Sequence, residues 1–344
     1  MAKHILFLVH GMGDTQPGWS QDIQQIIRSS YARYPGLSLL VPFDTNFSFC
    51  EINYNDKFDA RRKAWAQNAQ TVLSALAQSG LDAPAVKLLT TYSAEAGKEN
   101  FLATHVLDVL LYRFIPQIAE QIRTSVQKQI LQTLAAQPEN ETINWSIIAH
   151  SLGTAVTHDT LHAMYSGGSL PSSVTRPRVI AMIANVSRVL ETGADVYTSK
   201  VRACIDPSKG ICDYFLNARH EWDPIPVPKQ FKPVDDWPDL ATRHEQRFQN
   251  LVINAIGAKN VHDFAHYLKN PKVHIALFRA LTWNNLIDET SAASAIAQYE
   301  ASTPLAQFQS LSTKLKQLWP NEQASWKEII TCFRKFQELV QSDI

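Results

Sequence analysis

Ser151, Asp223 and His262 are the residues whose types and order could carry out chemistry together. A serine hydroxyl is a weak nucleophile near neutral pH. It attacks a carbonyl when a histidine takes its proton and a carboxylate orients that histidine. Such a set performs acyl transfer. Each of the three follows an apolar run: Ile143 to Ala149 before Ser151, Ile211 to Ala218 before Asp223, and Gln249 to Ile256 before His262. His10-Gly11 likewise follows the run Lys3 to Val9. Read as strands, these runs put all four positions at strand ends, where open α/β sheets bind ligands.

The stretch around Ser151 is the most specific. It reads Ile147-Ile148-Ala149-His150-Ser151-Leu152-Gly153-Thr154-Ala155, an apolar run that passes straight into a helix-forming one. A strand that turns into a helix without a loop strains the turn residue, and it needs small neighbours two positions away on each side. Ala149 and Gly153 supply them, in the pattern of a nucleophile elbow with Ala149 at the first glycine position. The plainer alternative is a buried strand followed by a serine N-cap.

For the acid, Asp223 opens Asp-Pro-Ile-Pro just past a strand. Asp206 and Asp213 precede or enter that strand, and Asp235 and Asp236 sit deep in a proline-rich loop. An Asp-Pro turn is the plainer reading of Asp223. For the base, His262 and His266 compete, and His262 is favoured because it lies before the following helix begins. His10 and His150 flank motif residues and are expected to be structural. An oxyanion would be met by the backbone N–H groups of Leu152, at the start of the elbow helix, and of Met12. Gly11 and Gly13 let that backbone approach the substrate.

These residues need elements to hold them. The sequence predicts strands over Lys3–Val9, Phe47–Tyr54, Ile143–Ala149, Arg178–Val186, Ile211–Ala218 and Gln249–Ile256. A helix is expected from about Trp19 to Tyr34, ended by Pro35-Gly36. Another follows from the stripe Ile115, Ile118, Ile122, Val126, Ile130 and Leu134, and a third from Leu152 to Tyr165. Alternating strands and helices imply a mostly parallel sheet of about six strands with helices on both faces. The core then spans 1–282, with a helical extension over 283–344 packed on it. Residues 57–113 form a helical insertion longer than a crossover requires. It is a candidate cap, with Phe101, His105 and Tyr112 as candidate pocket residues and Ser93 to Asn100 as a hinge. The competing reading is that it only thickens the core.

The blocks HILFLVHGMG, IIAHSLGTAV, NARHEWDPIP and VHDFAHYL resemble those of lipase- and esterase-like serine hydrolases of the α/β-hydrolase superfamily. The order Ser151, Asp223, His262 is the order of that superfamily. The likeness covers residues 3 to 280 in layout and is specific at those blocks. It implies an α/β-hydrolase fold and cleavage of a carboxylic ester, from a small molecule or a lipid, through an acyl-enzyme. A His followed by a tyrosine five residues on, here His262 and Tyr267, belongs to the same likeness. Thioesterase, amidase and acyltransferase activities would use the same triad. From another class, a non-catalytic hydrolase-fold scaffold stays open.

Composition narrows the remaining classes. The chain has 344 residues with 32 basic and 32 acidic side chains, so no charge excess calls for nucleic acid. No HExxH or Cys/His cluster suggests a metal, and Gln16 stands where a dinucleotide loop needs its third glycine. No cofactor is expected. No stretch is long enough to span a membrane. Four cysteines without CxxC spacing read as free thiols of a cytoplasmic protein. The sequence leaves the oligomeric state open.

Overall fold

Strand β1 (His4–Val9) is the run HILFLV with every residue buried. Successive side chains of a strand point to opposite faces, so β1 feeds two separate cores. Ile5, Phe7 and Val9 join one apolar cluster, and Leu6 and Leu8 the other. A strand apolar on both faces fits only between two helical layers. The computed structural model describes residues 3–13, 15–60, 62, 101–138, 142–167, 175–191, 195–233, 237, 247–282, 286–303, 313–318 and 324–341, with the backbone alone at 101–107, 228 and 341.

Five further strands complete the sheet: β2 (Phe47–Ile52), β3 (Trp145–His150), β4 (Val179–Ile183), β5 (Tyr214–His220) and β6 (Phe248–Ile253). Their order is β2-β1-β3-β4-β5-β6, and every pairing is parallel. All six lie where the sequence predicts them, with ends shifted by up to three residues in either direction. The strand order changes direction between β1 and β3: the chain steps outward from β1 to β2 one way, and from β3 to β6 the other. Connections leaving the two middle strands therefore diverge, and the crevice beyond their carboxyl ends is the expected binding place in such a sheet.

Helices cover both faces. On one lie α1 (Gln21–Tyr31), which buries Ile23, Ile27 and Tyr31, and α8 (Pro271–Thr282). They are joined by α7 (Phe264–Lys269), whose Phe264, Tyr267 and Leu268 enter the same core. The helix α9 (Glu289–Ser302) packs against α8. On the other face, α5 (Pro116–Ala135) buries Ile118, Ile122, Val126, Ile130 and Leu134 against α6 (Leu152–Ser166). The helices α4 (Phe101–Phe114) and α10 (Trp326–Gln341) meet through the rings of Phe114 and Trp326, 5.4 Å apart. Ile329, Ile330, Phe333 and Phe336 of α10 belong to this face's core. Fully burying side chains of this size stabilises by about 1.5–3 kcal/mol each.

One helix boundary differs from expectation. The first helix ends at Tyr31, and Pro35 opens a short helix α2 (Pro35–Leu40) rather than stopping one. Proline has no N–H to lose in the first turn, and its fixed φ suits that position. A four-residue helix α3 (Phe43–Asn46) then leads into β2. Residues 55–60 and 62 are helical as expected, whereas the hinge over 93–100 lies outside the described residues. All four cysteines are free. Among the described residues, no helix is long and apolar enough to cross a membrane.

Candidate active site

Ser151 joins β3 to α6 with φ 51° and ψ −126°. A positive φ is unusual for any residue with a side chain and persists only when its surroundings hold it. Here the holds are visible. Its N–H donates to the Ile183 carbonyl at 3.0 Å, which ties the turn to β4. Its carbonyl accepts the Thr154 N–H at 2.8 Å and the Thr154 hydroxyl at 2.6 Å. The small neighbours have a steric reason as well. A Cβ on Gly153 would lie 2.2 Å from the His10 carbonyl oxygen and 2.9 Å from that of Val9. Only a glycine there lets the elbow helix start against the end of β1.

The three residues singled out by the sequence meet in one hydrogen-bonded line. The Ser151 hydroxyl donates to His262 Nε2 at 2.8 Å, and His262 Nδ1–H donates to Asp223 Oδ2 at 2.7 Å. His262 lies before α7, whose N-cap is Asp263, so it sits in the loop rather than on the helix. Its backbone is fixed at both groups: the N–H donates to Asn260 Oδ1 at 3.1 Å, and the carbonyl accepts His150 Nε2–H at 2.7 Å. His150 is thereby a support. Its ring stacks on Phe264 at 4.8 Å, and burial holds its pKa well below the usual histidine value, so it remains a neutral donor.

Asp223 is fully buried. A buried carboxylate is tolerable when its oxygens are hydrogen-bonded. Oδ1 accepts the Ile225 N–H at 3.0 Å, and Oδ2 accepts the Tyr267 hydroxyl at 2.8 Å as well as His262. Tyr267 in turn accepts the His220 N–H at 2.7 Å. Cys332 of α10 approaches the same loop, its Sγ 3.9 Å from the Pro224 carbonyl oxygen. In the sequence Tyr267 stands out only through the resemblance, and nothing there shows its bond to Asp223. The competing acids lie elsewhere: Asp213 pairs with Arg176 at the start of β5, and Asp206 caps the exposed turn at Ser208. Asp235 and Asp236 are outside the described residues. His266 is buried on α7, its ring 5.4 Å from that of His220.

The turn after β1 lies against Ser151. A Cβ on Gly11 would be 3.0 Å from Ser151 Cβ. The Gly11 carbonyl accepts His10 Nδ1–H at 2.6 Å and the Tyr54 hydroxyl at 3.4 Å. Tyr54 also donates to the His10 carbonyl at 2.6 Å and stacks on the His10 ring at 4.0 Å. Burial lowers the His10 pKa to about 4, which keeps it neutral, with Nε2 accepting the Tyr54 N–H at 3.4 Å. In a trans peptide the N–H points opposite to the carbonyl. With the Gly11 carbonyl held by His10 and Tyr54, the Met12 N–H is directed away from them. Leu152 is the first residue of α6, so its N–H has no acceptor within the helix and carries the positive end of the helix dipole.

The candidate pocket residues fare unevenly. Tyr112 is fully buried and donates its hydroxyl to Asp159 of α6 at 2.8 Å. The side chains of Phe101 and His105 lie outside the described residues. Among the described residues, no group of three or more His, Cys, Asp or Glu is placed to hold a metal ion.

The site thus defines an all-parallel α/β protein with a hydrogen-bonded Ser–His–Asp line at the carboxyl ends of its strands. Comparisons with protein-family models, with curated proteins and with solved structures gave no match.

Proposed function

We propose that this protein is a serine hydrolase of the α/β-hydrolase type that cleaves a carboxylic ester through an acyl-enzyme. The observation that carries the reading is the continuous line Ser151 Oγ, His262 Nε2, His262 Nδ1, Asp223 Oδ2, with spacings of 2.8 and 2.7 Å. Both distances lie within the reach required for proton transfer and for orienting the base. The reversal of strand order between β1 and β3, beside which Ser151 and Gly11 sit, supports the same reading.

In this mechanism His262 Nε2 takes the Ser151 proton as Oγ bonds to the substrate carbonyl carbon. The carbonyl π electrons move to oxygen, and the Leu152 and Met12 N–H groups stabilise the oxyanion. When the carbonyl re-forms, the bond to the leaving alkoxide breaks and His262 returns the proton to it. Water then attacks the acyl-serine by the same steps in reverse, and Ser151 is regenerated. Asp223 keeps Nδ1 protonated and stabilises the imidazolium. An ester of a small molecule or lipid is the proposed substrate, after the lipase- and esterase-like blocks. The free cysteines suit a reducing compartment, and the cytoplasm is the proposed location.

The test is covalent labelling by a fluorophosphonate, with the adduct mapped by mass spectrometry, followed by turnover of esters of graded chain length. Modification at Ser151 is expected. A protein that resists the reagent and hydrolyses no ester would be a scaffold on a hydrolase-like frame. Asp223→Asn should lower turnover by about 10³- to 10⁴-fold, less than loss of nucleophile or base. Asn cannot hold the imidazole in the right tautomer, yet Ser151 should still label slowly. An unaffected Asp223→Asn enzyme would show that the carboxylate does not serve the histidine.

A further inference from the structure

The turn that presents the Met12 N–H is gripped from two sides, and one grip comes from the helical insertion. Asp108 of α4 is fully buried, and its Oδ2 accepts the Gly13 N–H at 3.1 Å. Its Oδ1 accepts Arg62 Nη1 at 2.6 Å. Arg62 is itself buried and held at its other nitrogen by Asn55 Oδ1 at 2.9 Å and by Asp59. Asp108 and Gly13 are 95 residues apart in sequence, so this contact is a tertiary device and not local turn chemistry.

We propose that Asp108, paired with Arg62, is a positioning residue that sets the direction of the Met12 N–H toward the oxyanion, a role that rests on the serine-hydrolase reading above. Two consecutive peptide planes are involved. The Gly11–Met12 plane is fixed through its carbonyl, by His10 and Tyr54. The Met12–Gly13 plane is fixed through its N–H, by Asp108. With both planes held, the backbone at Met12 has little freedom left. Gly13 takes φ 113°, which the turn requires and which L side chains rarely adopt. A donor held in place before the reaction stabilises developing charge without reorganising, and this is where most of its catalytic value lies.

The charge arrangement fits the same role. An unpaired carboxylate near a developing oxyanion would oppose it, because like charges repel strongly where water is excluded. Arg62, shared with Asp59, offsets part of that charge while leaving Oδ2 to accept the backbone. Burial raises the Asp108 pKa to about 7 even with Arg62 and the Gly13 N–H beside it. A buried ion pair is a poor way to gain stability alone, since apolar residues of similar volume often do as well. The insertion therefore reaches the site through a polar contact with its backbone, whatever its remaining residues do for substrate.

The experiment compares wild type, Asp108→Asn and Arg62→Lys by fluorophosphonate active-site titration and by p-nitrophenyl butyrate hydrolysis. Asn replaces one of the two acceptor oxygens by an NH2 group, so either Arg62 or the Gly13 N–H faces a donor in place of its acceptor. The expected result is a fall in kcat per titrated site of about 10- to 100-fold with KM changed by less than about twofold, the pattern of a lost transition-state contact. A purely structural pair would lower the number of titratable sites and the melting temperature, leaving kcat per site as in wild type, and that would overturn the proposal. If Asp108→Asn does not fold, Arg62→Lys is read by the same criterion. If neither folds, the pair is a folding element and the proposal falls. A wild-type protein that is not titrated at all would instead refute the serine-hydrolase reading.

Discussion

Ser151→Ala is expected to lower ester hydrolysis by about 10⁶-fold, the scale seen when a triad enzyme loses its nucleophile. That loss is about 8 kcal/mol of transition-state stabilisation, at 1.36 kcal/mol per decade. The fold should survive, for reasons visible in this chain. Every bond that holds the elbow uses the Ser151 backbone: its N–H to Ile183 and its carbonyl to Thr154. Alanine keeps the Cβ that packs beside Gly11. It also tolerates the backbone angle, since Ala184 in this same protein holds φ 51°. The side chain loses only the hydroxyl that donates to His262. Steady-state kinetics beside a thermal melt would measure both halves of the expectation. A purified variant with near-wild-type turnover and an unchanged melt would remove Ser151 from the chemistry.

The parts of this site that were legible in the sequence share one property: a local pattern. Apolar runs marked the central strands β1, β3 and β4 because a strand buried on both faces must be mostly apolar, whereas the edge strands β2 and β6 are half-exposed and carry polar residues. Ala149 and Gly153 marked the elbow by the small-residue pattern of such turns, and at Gly153 the geometry leaves no room even for a Cβ. Asp223 was marked by the Asp-Pro-Ile-Pro run just past β5, and His262 by its place in the loop after β6, ahead of the helix. The supports were not legible, because each is a single hydrogen bond between distant segments. Tyr267 to Asp223 spans 44 residues, Tyr54 to His10 likewise 44, and Gly13 to Asp108 spans 95. No period or motif announces such a pair. Pro35 is ambiguous for another reason: proline ends a helix or begins one equally well, and its neighbours do not say which.

The decisive comparison for the base is His262→Ala against His266→Ala. The two are four residues apart, and a helix begun one turn earlier would have put both on one face. With Asp263 as N-cap, they have different surroundings. His262 stands between Ser151 Oγ and Asp223 Oδ2, with its backbone clamped by Asn260 and His150. His266 is packed beside His220, and burial lowers its pKa. Removing His262 leaves the serine without a base and the buried Asp223 without its charged partner in the transition state. Members of a triad act as a unit, so His262→Ala should be as damaging as Ser151→Ala, about 10⁶-fold in kcat. Fluorophosphonate labelling should slow in proportion, because attack on phosphorus needs the same proton transfer. His266→Ala removes a buried ring that makes no hydrogen bond to Ser151 or Asp223, so its effect should fall on thermal stability, with turnover within about tenfold of wild type. Parallel kinetics and labelling rates on the two variants decide the matter. A reversed order of severity would make His266 the base and would place the start of α7 about one turn from where it stands.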